Sequence, residues 1–127
     1  MEQNLTFGQR LRELRKARNL TQRELAERVA TRLKEEDRRG FDFTYLSKIE
    51  NDRMPPPSKP AILQLAVELD ADSDELLYLA GRVPTDIEQT LTESEGARAF
   101  YRSAIKYHLN EQDWQELLQE LERRKSS

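Results

Sequence analysis

Two short segments constrain this chain more than any other feature. Each opens on a capping residue and carries apolar side chains at helical spacing. The first is Thr21-Gln22-Arg23-Glu24-Leu25-Ala26-Glu27-Arg28-Val29. Thr21 is placed to cap a helix, and Glu24, three residues on, completes a capping box. Leu25, Ala26 and Val29 form its inward stripe. The second is Asp42-Phe43-Thr44-Tyr45-Leu46-Ser47-Lys48-Ile49-Glu50-Asn51. Asp42 is its cap, and Leu46, Ile49 and Tyr45 face the core. Phe43, Thr44, Ser47 and Lys48 are then left toward the exposed face at the start of that helix.

The flanks continue the helical pattern. Phe7, Leu11, Leu14 and Ala17 make one apolar face of a helix from about Thr6 to Arg18, and Asn19 suits its stop. Downstream, Met54-Pro55-Pro56-Pro57 cannot be helix interior and reads as a rigid connector. Ser58 caps a helix whose Ile62, Leu65, Ala66 and Leu69 face inward. Asp72 or Ser73 opens another with Leu76, Leu77 and Ala80, and Gly81 closes it.

Four of these pieces, in this order, resemble the helix-turn-helix domain of the phage repressor/Cro superfamily, in its xenobiotic-response-element branch. They are Phe7-Gly8-Gln9-Arg10-Leu11-Arg12-Glu13-Leu14-Arg15, Leu20-Thr21-Gln22 with Glu24-Leu25-Ala26, Tyr45-Leu46-Ser47-Lys48-Ile49-Glu50-Asn51, and Ile62-Leu63-Gln64-Leu65-Ala66 with Asp74-Glu75-Leu76-Leu77. The resemblance runs from Phe7 to Pro84. Each piece alone is weak; the ordered set is specific. It implies an all-α, five-helix DNA-binding domain over residues 1–84.

The resemblance also implies roles. Residues at the start of the second helix of the motif enter the major groove. Phe43, Thr44 and Lys48, with Ser47 beside them, are the candidate base-reading side chains. Thr44 offers a hydroxyl or a methyl, Lys48 a donor for guanine acceptors, and Phe43 an apolar contact such as a thymine methyl. The other reading of Phe43 is packing against the preceding helix. Gln22 matches a phosphate-binding glutamine at a helix N-terminus, where backbone amides favour an anion. Arg23, Asn51 and Arg53 are further phosphate candidates. Arg15 and Glu50 match a partly buried ion pair that joins two helices, a structural role rather than a DNA contact.

One stretch departs from the pattern. Eighteen residues separate Ala26 from Tyr45, and the excess lies within Ala30–Arg39. Leu33 continues the stripe of Ala26 and Val29, so the periodicity predicts that the helix begun at Gln22 runs on to about Glu35. A charged loop would then lead to Gly40. Two readings stay open: a solvated excursion, or a phosphate-contacting arm using Arg32, Lys34, Arg38 or Arg39.

Charge is uneven. The net charge is −3 overall. Residues 1–54 hold thirteen Lys and Arg against ten Asp and Glu, and residues 55–127 hold eight against fourteen. DNA responds to local potential rather than to the chain average, so the positive half suits a polyanion. With no cysteine there is no disulfide and no thiolate metal site. No apolar run approaches a membrane span, and the N-terminus lacks a signal-peptide pattern. The expectation is a cytoplasmic, nucleoid-associated protein, bacterial or carried by a phage or plasmid, without membrane partner.

Residues 85–127 read as a C-terminal helical extension. Asp86 to Leu91 fits a short helix. Thr92 with Glu95 forms a capping box for the next, in which Ala97, Phe100, Tyr101, Ala104, Ile105 and His108 repeat at helical spacing. Asn110 caps a last helix striped by Trp114, Leu117, Leu118 and Leu121. Such short helices cannot bury these faces alone. Phe100, Tyr101, Trp114, Leu117, Leu118 and Leu121 are therefore the candidate dimerisation residues.

No catalytic or metal-binding constellation is expected. His108 has no second His or Cys to share a metal, and Asp70, Asp72 and Asp74 lack the glycine and distant glutamate of a calcium loop. No cofactor is expected and the chain is not read as an enzyme. The function expected is sequence-specific binding of double-stranded DNA by a homodimeric transcriptional repressor. The alternative is an antitoxin-like or partner-binding module whose C-terminal helices hold another protein.

Overall fold

The structure, a computed structural model, describes residues 5–126. All regular elements among these residues are α-helices, as the sequence pattern predicts. They are α1 (Phe7–Ala17), α2 (Gln22–Ala30), α3 (Glu35–Arg38), α4 (Phe43–Glu50), α5 (Lys59–Leu69), α6 (Ser73–Leu79), α7 (Thr85–Glu93), α8 (Glu95–Lys106) and α9 (Glu111–Ser126). The chain divides into two compact units between Pro84 and Thr85.

Capping chemistry sets most helix starts. Thr21 Oγ1 accepts from the Glu24 backbone N–H at 3.0 Å, and the Thr21 N–H returns a bond to Glu24 Oε1 at 2.9 Å. That backbone N–H holds the exposed Glu24 carboxyl below its usual range. Thr6 and Gln9 make the same reciprocal pair at α1. Asp42 accepts from Tyr45 N at 2.9 Å, and Ser58 and Asp72 cap α5 and α6. The ends use left-handed residues: Asn19 after α1 (φ 57°), Asp52 after α4 (φ 58°), Asp70 after α5 (φ 51°) and Gly81 after α6 (φ 72°).

The first unit closes around one core. Leu11, Leu25, Val29, Leu46, Ile49, Ile62, Leu65 and Leu76 are fully buried in it. α1, α2 and α5 each contribute one stripe, and α4 packs against both α1 and α2. In α1 the stripe is shorter than its spacing suggests: Phe7 and Leu11 are buried, Leu14 is half-buried and Ala17 is exposed.

The insertion corrects the sequence reading. α2 ends at Ala30, not at Glu35, and residues 35–38 form a separate turn of helix, so the first unit has six helices rather than five. Thr31 is the C-cap, and its hydroxyl donates to the Arg28 carbonyl at 2.9 Å, a bond that competes with helix continuation. Leu33 does reach the core, but from the turn. Arg32 meets Glu68 of α5 at 2.9 Å and Phe41 is buried, so the chain is drawn back across the core instead of along the α2 axis. Glu35, Glu36 and Asp37 then occupy the first turn of α3, where the helix dipole favours acids.

The second unit holds α7, α8 and α9, with α7 packed on α8. Two details differ from expectation. Ser94, not Thr92, caps α8, accepting from Ala97 N at 3.0 Å. Thr92 is still inside α7, where its hydroxyl donates to the Glu88 carbonyl. His108 lies beyond α8, exposed and left-handed at φ 51°, and so is not part of the α8 stripe. Asn110 and Asp113 exchange capping bonds of 2.8 and 3.0 Å at the start of α9.

Candidate nucleic-acid interface

The face built by α2 and α4 rests on a buried charge cluster. Arg15 on α1 donates from Nε to Glu50 Oε2 at 2.7 Å and from Nη2 to Glu50 Oε1 at 2.9 Å. Its Nη1 donates to the Leu20 carbonyl at 2.8 Å, holding the turn between α1 and α2. Gln22 Nε2 adds a bond to Glu50 Oε1 at 3.1 Å. Glu50 is 3% exposed. One carboxylate at the end of α4 thus ties together α1, the following turn and the first residue of α2. A two-pronged guanidinium–carboxylate pair with satisfied lone pairs is the geometry in which burying such a charge is tolerable.

A second constraint comes from a glycine the sequence reading passed over. Gly8 is buried in the first turn of α1 and lies against the end of α4. A β-carbon there would collide with the Ile49 carbonyl oxygen and come within 2.7 Å of Asp52 Oδ1. The Thr6 hydroxyl donates to Asp52 Oδ2 at 3.0 Å across the same contact. Gly8 therefore lets α1 approach the backbone of α4 closely. A glycine inside a helical pattern is the signal that could have revealed it.

The outer face carries the candidate base-reading residues. Thr44 and Lys48 are exposed, one turn apart on α4, and Ser47 between them is half-buried. Phe43 remains 39% exposed, with the Arg23 guanidinium 4.1 Å from its ring centroid. That stacking joins the first turn of α2 to the first turn of α4 and holds both side chains extended over one surface. Phe43 and Arg23, assigned separately in the sequence, thus form one unit.

The phosphate candidates divide. Gln22 and Arg23 stand at the start of α2. The two-donor amide of Gln22 uses one bond on Glu50. Asn51 is exposed at the end of α4 and donates one of its two amide N–H groups to the Ser47 carbonyl at 2.8 Å. Arg53 is exposed just past α4, where its backbone N–H bonds the Lys48 carbonyl at 2.8 Å around the left-handed Asp52. In the insertion, Arg32 is held by Glu68, while Lys34, Arg38 and Arg39 are exposed on the stretch that leads into α4.

These features define what the surface can do. α4 is eight residues long, about 12 Å at 1.5 Å per residue. An α-helix, about 10–12 Å across with its side chains, fits the major groove, which is about 12 Å wide, and a helix as short as α4 reaches only a few base pairs there. The face offers a hydroxyl, an ammonium and an aromatic edge, with Arg23 and Arg53 at its two ends, while the Glu50 carboxylate is withdrawn and neutralised by Arg15.

The candidate dimerisation residues all lie in the second unit and all are exposed: Phe100, Tyr101, Trp114, Leu117, Leu118 and Leu121. Phe100 meets Trp114 edge-on, with ring centroids 6.4 Å apart. No helix among the described residues is long and apolar enough to cross a membrane.

Comparison with known proteins gives three findings. A family model described as a helix-turn-helix domain matches residues 8–82. RghRB of Bacillus subtilis (strain 168), named an uncharacterized HTH-type transcriptional regulator, is 36% identical over 95 residues, which cover 75% of this chain and 61% of that protein. The match thus spans about three-fifths of the length of that relative. A chain in a solved complex of SinR protein with SinI protein aligns with 96% of this chain and 100% of its own length, at 24% identity and a TM-score of 0.48.

Proposed function

This chain belongs to the helix-turn-helix domain family, and we propose that it binds double-stranded DNA sequence-specifically as a homodimeric transcriptional repressor. Within the family, its motifs resemble the xenobiotic-response-element branch of the phage repressor/Cro group. The observation that carries the reading is the outer face of α4. Thr44 and Lys48 project from a short helix whose position is held on its inner side by the Arg15–Glu50 pair and by the close approach of Gly8. Side chains that read base edges must be held in register, and that register is what the buried pair supplies.

Under this reading Thr44 and Lys48 contact bases, with Ser47 and the edge of Phe43 beside them. Gln22, Arg23 and Arg53 contact phosphates on either side of the groove. One such helix covers only a few base pairs, so two copies on a symmetric site give the length needed for specificity. The exposed stripes of α8 and α9 supply apolar surface for pairing the copies. A dimer occupying a promoter blocks it, which is the simplest regulatory action open to a DNA-binding domain.

Selection of bound sequences from random duplex DNA tests the reading. The expected result is enrichment of a two-fold symmetric motif with half-sites about one helical turn apart. Binding without sequence enrichment would overturn the specific-regulator reading. Enrichment of a lone half-site together with a monomeric chain would overturn the homodimer and favour a different protein as the partner of the C-terminal helices.

A further inference from the structure

α9 carries an apolar stripe and an uneven charge distribution along the same helix. Trp114, Leu117, Leu118 and Leu121 recur at intervals of three and four, and none of them is buried. Glu111 and Asp113 lie in the first turn, and Arg123, Arg124 and Lys125 in the last. The stripe is centred between Leu117 and Leu118, with Trp114 and Leu121 at equal distances on either side.

We infer that α9 pairs with α9 of a second copy in antiparallel fashion, about a two-fold axis near Leu117 and Leu118. The inference rests on the homodimer reading above and specifies its geometry. Charge decides the direction. A parallel pair would set Glu111, Asp113, Arg124 and Lys125 each beside its own like charge, whereas Arg123 is held by Glu120 within its own helix. An antiparallel pair about that midpoint sets Glu111 of each helix at the level of Arg124 of the other, at both ends. Like charges brought together across a helix pair select against a partner or an orientation. Each acid is also well placed for its own helix dipole, but that effect acts within one helix and does not explain why the stripe is centred midway between the two charged turns.

The centring makes the interface self-complementary. Reversal about the midpoint carries Trp114 to the level of Leu121 and Leu117 to the level of Leu118. Each bulky side chain thus meets an apolar one rather than a charge, as an interface of identical patches requires. The Phe100 ring, edge-on to Trp114, extends the apolar surface from α8 to the end of the stripe.

Cysteine cross-linking tests the geometry, because the chain has no cysteine of its own. Glu111→Cys and Lys125→Cys are made separately in the full chain. The two positions are about 21 Å apart along α9 at 1.5 Å per residue. Sedimentation of the unaltered chain is measured alongside. The inference expects a dimer and mild oxidation that links the two variants only when they are mixed, with about half of the mixed sample covalently dimeric and little linkage in either alone. A dimer in which each variant links to itself would mean a parallel pair and would overturn the inference while leaving the homodimer. A dimer with no linkage in any sample would mean that α9 is not the interface, again leaving the homodimer. A monomer would overturn both.

Discussion

Arg15 on α1 and Glu50 at the end of α4 are joined by two hydrogen bonds, 2.7 and 2.9 Å long, with the Glu50 side chain almost wholly out of solvent. The pair crosses thirty-five positions of sequence and holds the candidate recognition helix to the scaffold. Gln22 and the Leu20 carbonyl complete its hydrogen bonding.

Arg15→Ala and Glu50→Ala are each expected to cost about 3–5 kcal/mol, because each leaves the other charge buried without its partner. Arg15→Ala leaves an anion 3% exposed, and Glu50→Ala leaves a guanidinium with only the Leu20 carbonyl. The double variant should lose clearly less than the sum. Urea melts of the four proteins measure this directly. Additive losses would show that the two residues do not act as a pair.

Gly8→Ala and Gly96→Ala should have opposite signs. Both lie in helices, where alanine is intrinsically favoured by up to about 1 kcal/mol. At Gly96 an added methyl finds only the Ser94 hydroxyl at 3.8 Å, so α8 should gain stability. At Gly8 the methyl meets the Ile49 carbonyl, and forced overpacking costs about 1–3 kcal/mol. The collision outweighs the propensity. Thermal melts compare the two, and a neutral Gly8→Ala would mean that α1 can back away from α4.

Lys48→Ala should reduce the preference for the selected site over random duplex by roughly 5- to 150-fold, the equivalent of about 1–3 kcal/mol of base discrimination. Arg53→Ala should weaken both kinds of binding nearly equally and reduce the salt slope by about 1. Titrations of both duplexes at several salt concentrations separate these behaviours. An unchanged ratio in Lys48→Ala would remove it from the base-reading set.

Leu33→Ala should destabilise the first unit by about 2 kcal/mol, the lower end for a core leucine, since it sits at the core margin. Arg38→Ala with Arg39→Ala should leave stability near wild type, because both side chains are exposed. If the insertion contacts phosphates, the latter pair weakens DNA binding and flattens its salt dependence; if it is only a solvated excursion, binding is unchanged. Denaturant melts and duplex titrations of the same proteins give both answers.

Local chemistry made much of this molecule legible. Thr21 with Glu24, and the caps Asp42, Ser58 and Asp72, announce helix starts because a capping bond spans only two or three residues of chain. The stripes of α2, α4 and α5 mark the core for the same reason. The insertion was illegible because Leu33 satisfies the α2 period whether or not the helix continues. Only Phe41, Arg32 and Glu68, each packed against distant parts of the chain, decide that it does not. Thr92 and Ser94 are both competent caps, and the choice of Ser94 follows from where α7 actually ends.

Most of the helices, most of their caps and the chemical character of the exposed face of α4 are therefore legible in the chain alone, whereas α3 and the choice of Ser94 as the α8 cap are not. The legible features are properties of residues within one or two turns of each other, and short-range sterics and hydrogen bonding settle them. Packing decides which groups meet across long separations: Gly8 against Ile49, Arg23 over Phe43, and Gln22 onto Glu50. Such contacts depend on the angle at which packed helices cross, and that angle is set by the whole core rather than by any one segment.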